Sequence, residues 1–502
     1  MSNGTPRQFL EPHILSLLRR LAAFLKSRGV KSYLVGGLVR DLLLKRKTAD
    51  IDIAVQNDAL KIAQDVAKLL GGTYVLLHEE NRIGRVVLPD KDNISGGGQW
   101  VVDFTSVQDT IYDDLARRDF TIDAMAYDLT ELIHSSEQAL LIDPFGGLGD
   151  LHDHLIRAVV PSTFTDDPLR LLRAFRLASE LGFAIDDGTE FLIRSDSYLI
   201  ATIAGERIRE ELLRLIAVPR IDRLLLYMDE LGVLTAVIPE LGETKGIIQP
   251  KEHYWNVFEH LVETVAAAGF LTHSGAWEYA GKEVLEFIPC TDEIGHYFDT
   301  EVNAGSTRGT LLRLAALLHD IAKPETKAVD KMGRTRFFGH GSEGAGTAVE
   351  ILERLRFSTH EIRFVATMVK YHMRPGQLAQ DMELPSGRAI YRYFRDTEEA
   401  GIATIFLNLA DHLAARGPNL ELAAWKAHTR LANYILEEHF KQSAVIKQEK
   451  LIDGDDLIRI FGMPPGPEIG NILEQLHEAR AAGEIKTHAE ALDYAKKLLN
   501  KG

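Results

Sequence analysis

The sequence contains one cysteine, Cys290, among its 502 residues. A single cysteine excludes an intramolecular disulfide, and it excludes a zinc site built from several cysteine ligands. Scarcity of cysteine is typical of proteins in a reducing compartment, and we therefore expect the cytoplasm. Internal repeats and low-complexity tracts are also lacking, which excludes a repeat architecture.

Membrane-type segments are missing as well. No apolar run approaches the about 20 residues that a membrane-spanning helix needs, and the N-terminus lacks the layout of a signal peptide. The first apolar stretch, residues 13–25, is interrupted by Arg19 and Arg20 and predicts an amphipathic helix instead. The sequence therefore predicts no membrane partner.

The chain has no excess of positive charge, because 57 Lys and Arg residues face 73 Asp and Glu residues, for a formal net charge of −16. This acidity argues against a protein that coats nucleic acid non-specifically, although local arginine clusters can still contact phosphates. The hydrophobic share of 45% is ordinary for a soluble globular protein. The length exceeds what one core supports and predicts about three or four domains.

The pattern along the chain predicts an α+β fold in four regions. Residues 1–160 mix β-rich runs with helical stretches and predict a head with a small mixed sheet, in which residues 95–98 form a hairpin tip. Residues 161–250 have a helical period and predict an all-α neck. Residues 251–435 are helical and rich in histidine, with a weakly patterned insertion at about 272–309. Residues 436–502 predict a helical tail.

Two aspartates in the head are arranged for metal-assisted phosphoryl transfer. Asp50 and Asp52 alternate with aliphatic residues on a predicted strand, so both carboxylates lie on one face. Such a pair can share two divalent cations about 3.5–4 Å apart. Gly36 and Gly37 form a turn just upstream, where a helix start offers backbone N–H groups to a triphosphate and Arg40 adds a charge. The other interpretation is a solvated strand edge after an ordinary turn.

An arginine-rich helix follows the head. Asp166 and Asp167 precede Pro168, a pattern that predicts a helix start. Arginines then recur every third residue and form one drifting basic face; they are Arg170, Arg173 and Arg176. For an isolated helix, the simplest interpretation is a solvated face.

These motifs together resemble the head of the polymerase-β-type nucleotidyltransferases, in the branch of class II tRNA nucleotidyltransferases and bacterial poly(A) polymerases. Residues 117–126, with Arg118 and Asp119, are similar to the second motif of that family, which usually has Asn at the position of Asp123. Residues 143–147 look like its head-to-neck linker. The resemblance implies a nucleotidyltransferase head with Mg²⁺, and Asp103 as a third carboxylate; the other interpretation of Asp103 is a surface strand residue.

The resemblance also implies that Asp167 and Arg170 read the incoming base. Asp167 accepts from the exocyclic amine of C or A, and Arg170 donates to the ring acceptors beside it. U and G present a carbonyl where Asp167 needs a donor. By the same resemblance, Arg173 and Arg176 face phosphates, and the substrates are CTP, ATP and the 3′ end of tRNA.

The middle region contains a second constellation. An adjacent His-Asp pair lies within a predicted apolar helix over residues 311–324, and burying both side chains is unfavourable unless they are paired or bind metal. Further residues complete a set that resembles the HD-domain phosphohydrolases: His260, His319, Asp320, His340, His372 and Asp411. The resemblance implies a site for a transition metal or for Mg²⁺ or Mn²⁺, and a phosphohydrolase activity that only some relatives retain. The tail, by resemblance, holds the tRNA body.

Complete CCA-adding enzymes of this class have a flexible loop after the third-carboxylate strand, and members that add only CC lack it. Here residues 105–112 alone separate that strand from the next motif, which favours CC addition.

Two alternative functions stay open. A bacterial poly(A) polymerase shares the chemistry, but an HD domain is unusual there and the long basic tail is absent. An HD phosphohydrolase whose head only binds RNA would keep its main activity without Asp50 and Asp52.

Overall fold

The computed structural model describes residues 9–47, 50–79, 82–89, 100–134, 139–289, 291–379, 384–448 and 451–500. The chain forms two compact units, Met1–Ile203 and Ala204–Gly502. The predicted hairpin tip at residues 95–98 and Cys290 lie outside the described residues. None of the helices in the described ranges combines the length and the apolar character needed to cross a membrane.

The first unit is built on a seven-stranded mixed sheet of order β3-β4-β5-β2-β1-β6-β7. Only β2 and β5 run parallel, and the other neighbours pair antiparallel. The strands are β1 (Ser32–Val35), β2 (Asp50–Val55), β3 (Thr73–His78), β4 (Ile83–Leu88), β5 (Trp100–Ser106), β6 (Ala126–Asp128) and β7 (Leu141–Ile142), and a separate parallel pair is β8 (Leu155–Ile156) with β9 (Ala184–Ile185).

Helices cover this sheet and continue past it. They are α1 (Pro12–Ser27), α2 (Gly37–Leu43), α3 (Ala59–Leu70), α4 (Ile111–Ala116), α5 (Leu129–His134), α6 (Gly147–Asp153), α7 (Thr163–Asp166), α8 (Arg170–Leu181) and α9 (Asp187–Asp196). The predicted amphipathic helix at residues 13–25 is confirmed as α1, which buries Ile14, Leu18 and Leu21. The start of α8 lies two residues later than the sequence pattern indicates. Asp167 stays extended and its carboxylate accepts the Leu169 N–H at 3.2 Å.

The second unit is helical, with two small hairpins. Its helices are α10 (Gly205–Ile216), α11 (Ile221–Glu230), α12 (Val233–Val237), α13 (Glu240–Glu243), α14 (Val257–Leu271), α15 (Lys282–Leu285), α16 (Asp292–Asp299), α17 (Arg308–Leu318), α18 (His340–Arg354), α19 (Thr359–Tyr371), α20 (Arg374–Gln377), α21 (Gly387–Thr397), α22 (Gly401–Arg416), α23 (Leu422–Gln448), α24 (Gly454–Phe461), α25 (Pro467–Ala481) and α26 (His488–Leu499). The hairpins pair β10 (Glu301–Asn303) with β11 (Ser306–Thr307) and β12 (Lys327–Val329) with β13 (Thr335–Phe337). The predicted α+β class with a mixed sheet and a helical C-terminal region is confirmed.

Three helices form the centre of this unit. α14 is apolar on every side and almost wholly buried, as a core helix must be, and α17 and α22 pack against it. The predicted insertion at about 272–309 contains α15, α16 and the β10–β11 hairpin. It is attached to α23, because Trp425 Nε1 donates to the Val284 carbonyl and Asn433 Nδ2 donates to the Phe287 carbonyl, both at 3.0 Å.

Candidate functional site

The predicted head carboxylates lie side by side on one face of the sheet. On β2, Asp50 is exposed and Asp52 half-buried, while Ile51 and Ile53 are buried, as the alternation predicted. Asp52 is paired with Asp103 across the parallel β2–β5 ladder. Burial raises the pKa of Asp52 to about 6; the charge of Arg118 opposes this shift, and those of Asp103 and Asp50 add to it. Neighbouring carboxylates repel one another when all are ionised, and a divalent cation relieves this repulsion. Carboxylate oxygens are also the ligands that such cations prefer.

Gly36 leaves room for this arrangement. It is the residue before α2, with φ of 72°, and a Cβ there would lie 2.8 Å from Asp52 Oδ2 and 2.7 Å from Arg118 Nη1. Both the left-handed backbone and the close approach require glycine. The turn predicted at Gly36 and Gly37 therefore brings the second motif, through Arg118, against the first.

Arg85 is a member of this site that the sequence pattern did not reveal. It lies on β4 directly opposite Asp103 and donates two hydrogen bonds of 2.8 Å to the two carboxylate oxygens. Among the described residues, no three acidic groups of the head have oxygen atoms within 4.8 Å of one another. Asp103 is thus bound to an arginine, and the three predicted head carboxylates do not form a group of that kind.

A cavity of about 590 Å³ opens beside these carboxylates. Seven predicted site residues line it: Asp52, Asp103, Arg118, Asp119, Asp167, Arg170 and Arg173. The remaining predicted head residues are not part of its lining: Gly36, Gly37, Arg40, Asp50 and Arg176. The wall also includes two apolar side chains, Leu77 and Ile83, and the polar side chain of Gln108. The carboxylate row and the predicted base reader therefore share one cavity.

The predicted base reader is fixed by the main chain. The Arg170 guanidinium donates from Nη1 to the Thr163 carbonyl at 3.2 Å and from Nη2 to the Arg117 carbonyl at 2.6 Å. Two acceptors from separate segments hold a planar guanidinium in one orientation. Arg170 is thereby presented at the cavity wall with Asp167.

The other predicted phosphate ligands make ion pairs within the protein. Arg173 Nη2 lies 2.9 Å from Asp119 Oδ2, which attaches α8 to the second motif. Arg40 Nη1 lies 2.8 Å from Asp123 Oδ1, and both side chains are nearly buried. The Asp that replaces the family's usual Asn therefore supplies a charged partner for Arg40. Arg176 pairs with Glu180 one helical turn later, at 3.0 Å.

The six predicted HD residues of the second unit converge. His260 Nε2 lies 3.1 Å from Asp411 Oδ1 and 3.3 Å from His319 Nε2. His340 Nε2 lies 3.3 Å from His372 Nε2 and 3.3 Å from Asp320 Oδ1. Asp320 stands between these two groups, because its Oδ2 lies 3.2 Å from His319 Nε2. The donors thus form overlapping groups of three, two of which share Asp320.

Three of these histidines are held with Nε2 directed into the cluster. Nδ1 of His319, His340 and His372 lies 2.9, 2.7 and 2.7 Å from the carbonyls of Ala316, Phe337 and Val369. A carbonyl accepts only from N–H, so Nδ1 carries a proton, and in the neutral imidazole Nε2 offers its lone pair. Burial also lowers the pKa of His372 to about 4, which keeps its imidazole neutral. Neutral imidazoles beside ionised carboxylates are suitable metal donors.

Three further residues belong to this centre. His253 joins His260 and Asp411 in a group whose donor atoms lie within 4.8 Å of one another. Lys323 is buried, forms an ion pair with Asp320, and donates to Gln249 Oε1 at 2.5 Å. The sequence could have indicated Lys323, because it follows the His-Asp pair by one helical turn. His253 and Gln249 precede α14 and reach the centre only through the fold.

Comparison with known proteins matches two regions of the chain to named families. A model described as "Poly A polymerase head domain" matches residues 32–157, and a model described as "HD domain" matches residues 257–416. The chain is 33% identical to the A-adding tRNA nucleotidyltransferase of Deinococcus radiodurans, covering 91% of this chain and 93% of the relative. It is 32% identical to the CC-adding enzyme of Thermus thermophilus, covering 91% of each.

A solved structure shares the fold. The CCA-adding enzyme of Thermotoga maritima, complexed with tRNA, aligns over 98% of this chain and 97% of its own length. The TM-score is 0.61 at 24% sequence identity.

Proposed function

Because this chain belongs to the tRNA nucleotidyltransferase family that joins a poly(A) polymerase head to an HD domain, we propose that it adds two C residues to the 3′ end of tRNA and stops. CTP is then its nucleotide substrate, Mg²⁺ its head metal, and A addition the task of another enzyme. Its relatives include both A-adding and CC-adding enzymes at nearly equal identity, so similarity alone does not decide between them.

The observation that carries this proposal is the short connection after β5. β5 ends at Ser106 and α4 begins at Ile111, so only residues 107–110 join them. Val107 is buried and its N–H donates to the Val55 carbonyl at 2.9 Å, while Thr110 caps α4 with a reciprocal capping box. A four-residue connection held at both ends has no slack to move. It therefore supports a cavity with one nucleotide specificity.

The proposed chemistry divides among the residues of the cavity. Asp50, Asp52 and Asp103 would hold the divalent ions, which activate the tRNA 3′-hydroxyl and neutralise the departing pyrophosphate when bound. Asp167 would accept from the amine of cytosine, and Arg170 would donate to its ring nitrogen and carbonyl. U places a carbonyl against Asp167, and the unpaired buried acceptor costs about 1–3 kcal/mol.

We propose one role for each of the four regions along the chain. Residues 1–160 are the catalytic head, 161–250 the nucleotide-reading neck, 251–435 the HD domain, and 436–502 a tail that contacts the tRNA body. A tRNA substrate also supports the expectation of a cytoplasmic enzyme.

Labelled CTP and ATP incorporation tests the proposal directly. Three tRNA transcripts are needed, ending at the discriminator base, at the first C and at CC. We expect C addition to the first two and no reaction with ATP on the third. Efficient A addition to the CC transcript would refute CC specificity. The double variant Asp50→Ala, Asp52→Ala should abolish all incorporation, and continued extension by it would refute the assignment of the centre.

The clustered HD residues favour a second activity. We propose that this centre binds two divalent ions, one beside His260, His319 and Asp411 and one beside His340 and His372, with Asp320 common to both, and hydrolyses phosphate esters. The double variant His319→Ala, Asp320→Ala should lose bound metal and phosphatase activity but retain C addition. Metal analysis of the purified protein comes first: a protein with no bound metal after growth in Mn²⁺, Zn²⁺ or Ni²⁺ would contradict the proposal.

A further inference from the structure

Arg85, Asp103 and Asp52 occupy directly paired positions on the neighbouring strands β4, β5 and β2. Paired residues point to the same face of a sheet. The three side chains therefore form a row, in which one positive charge stands beside two adjacent negative charges. Both oxygens of Asp103 are engaged by Arg85, through Nε and Nη2, each at 2.8 Å.

This contact occupies both oxygens that Asp103 can offer to a metal ion. Three carboxylates that share one ion bring their oxygen atoms close together. Among the described acidic groups of the head, no three have oxygen atoms within 4.8 Å of one another. A divalent ion bound by Asp103 therefore competes with the Arg85 guanidinium for the same two oxygens. The Arg85 side chain is 38% exposed and that of Asp103 18%, so the exchange requires no unfolding.

We propose that Arg85 is a positioning residue of the nucleotidyl-transfer centre, an internal counter-cation that holds Asp103 until a divalent ion replaces it. The inference rests on the proposed role of Asp103 as the third carboxylate. Arg85 engages Asp103 from β4, on the side away from Asp52 on β2, and it makes divalent ions bind more weakly than the three carboxylates alone would.

Direct binding of Mn²⁺ to the full chain, followed by electron paramagnetic resonance of the free ion, tests this. The Asp50→Ala, Asp52→Ala variant supplies the signal of all other sites, including the HD domain, for subtraction. We expect Arg85→Met to lower the dissociation constant of the head about tenfold, the contribution of a unit charge about 6 Å from a divalent ion in a solvent-like dielectric. Arg85→Lys should give a smaller decrease, because an ammonium does not match the two carboxylate oxygens as a guanidinium does.

Two controls separate the mechanism from general charge effects. Arg82→Met removes the same charge from an exposed residue three positions earlier on the chain and should leave Mn²⁺ affinity unchanged. Asp103→Asn should weaken binding, and adding Arg85→Met to it should produce no further change, since Arg85 acts through Asp103.

Three results would overturn the inference. Equal Mn²⁺ binding by Arg85→Met would show that Arg85 does not compete with the ion, and weaker binding would show that it supports the metal site. A gain that persists in the Asp103→Asn background would show that Arg85 acts on another group. Unchanged binding by Asp103→Asn would remove Asp103 from the ligand set, and the inference with it, while leaving the roles of Asp50 and Asp52 intact.

Discussion

Glu361 offers a quantitative test of how the second unit is held together. Its side chain is fully buried at the first turn of α19. One oxygen accepts from Arg209 Nη2 at 2.6 Å and from Ser306 Oγ at 2.7 Å. The other accepts from Asn303 Nδ2 at 3.2 Å and from the N–H and hydroxyl of Ser358, both at 2.7 Å. The carboxylate thus joins α10, the β10–β11 hairpin and α19.

The pKa of Glu361 gives the size of the effect. Burial alone would raise it, but the hydrogen bonds from Arg209, Ser306 and Ser358 bring it down from 4.5 to about 2. At 1.36 kcal/mol per pKa unit, this difference corresponds to about 3 kcal/mol of folding free energy. A depressed pKa means that this stability is present above pH 4.5 and is lost as the pH falls from 4.5 towards 2.

Glu361→Gln keeps the shape of the side chain and removes its charge. The amide NH₂ must face one of the two donor groups, so at least two donors lose their acceptor. We expect the variant to lose about 3 kcal/mol in free energy of unfolding at pH 7, and the difference from the unmodified protein to shrink below pH 4.5.

Urea denaturation between pH 3 and 7, followed by tryptophan fluorescence, measures this difference. Three of the four tryptophans, Trp255, Trp277 and Trp425, lie in the second unit and report on its unfolding. Glu353→Gln, on the exposed side of α18, is the matched control and should change the free energy by less than about 0.5 kcal/mol at any pH. Equal stability of Glu361→Gln and the unmodified protein across the whole range would refute the reasoning.

Three further predictions concern other buried contacts. Arg313 is buried, has no carboxylate partner among the described residues, and donates to the carbonyls of Ile216, Val218 and Ser274. Arg313→Met should cost about 3–5 kcal/mol in urea denaturation, because these acceptors lose their donor. Gly36→Ala would press a methyl group against Asp52 and Arg118 and should lower kcat for CTP incorporation about a hundredfold, with an unchanged circular dichroism spectrum. Burial raises the pKa of Glu263 to about 7, so stability should fall as the pH rises from 4.5 through 7, and Glu263→Gln should remove this pH dependence and stabilise the protein by up to about 3 kcal/mol at pH 8.

The sequence predicted what depends on local pattern. Alternation placed Asp50 and Asp52 on one face, and the His319-Asp320 pair within an apolar segment indicated the buried histidine cluster, although α17 ends at Leu318, before the pair. Contacts between distant segments could not be predicted from the sequence, because each charged residue has many oppositely charged residues elsewhere in the chain with which it could pair. Arg85 and Asp103 meet only through strand register, 18 positions apart, and Arg40 and Asp123 across 83 positions. The phosphate roles expected for Arg40, Arg173 and Arg176 remain predictions, and each guanidinium has an acidic partner within the protein.

The two sites differ in how far the protein alone can assemble them. In the HD cluster, backbone carbonyls orient three imidazoles, and buried Lys323 forms an ion pair with Asp320, so internal contacts hold the donors together. In the head, the three carboxylates repel one another, and two arginines offset this repulsion. Arg85 binds Asp103, and Arg118 lies near Asp52. Preformed donors favour retention of a metal between turnovers, whereas carboxylates held by arginines favour an ion that enters with each nucleotide triphosphate. A head that must release product pyrophosphate together with its counter-ion after each addition is suited to the second arrangement.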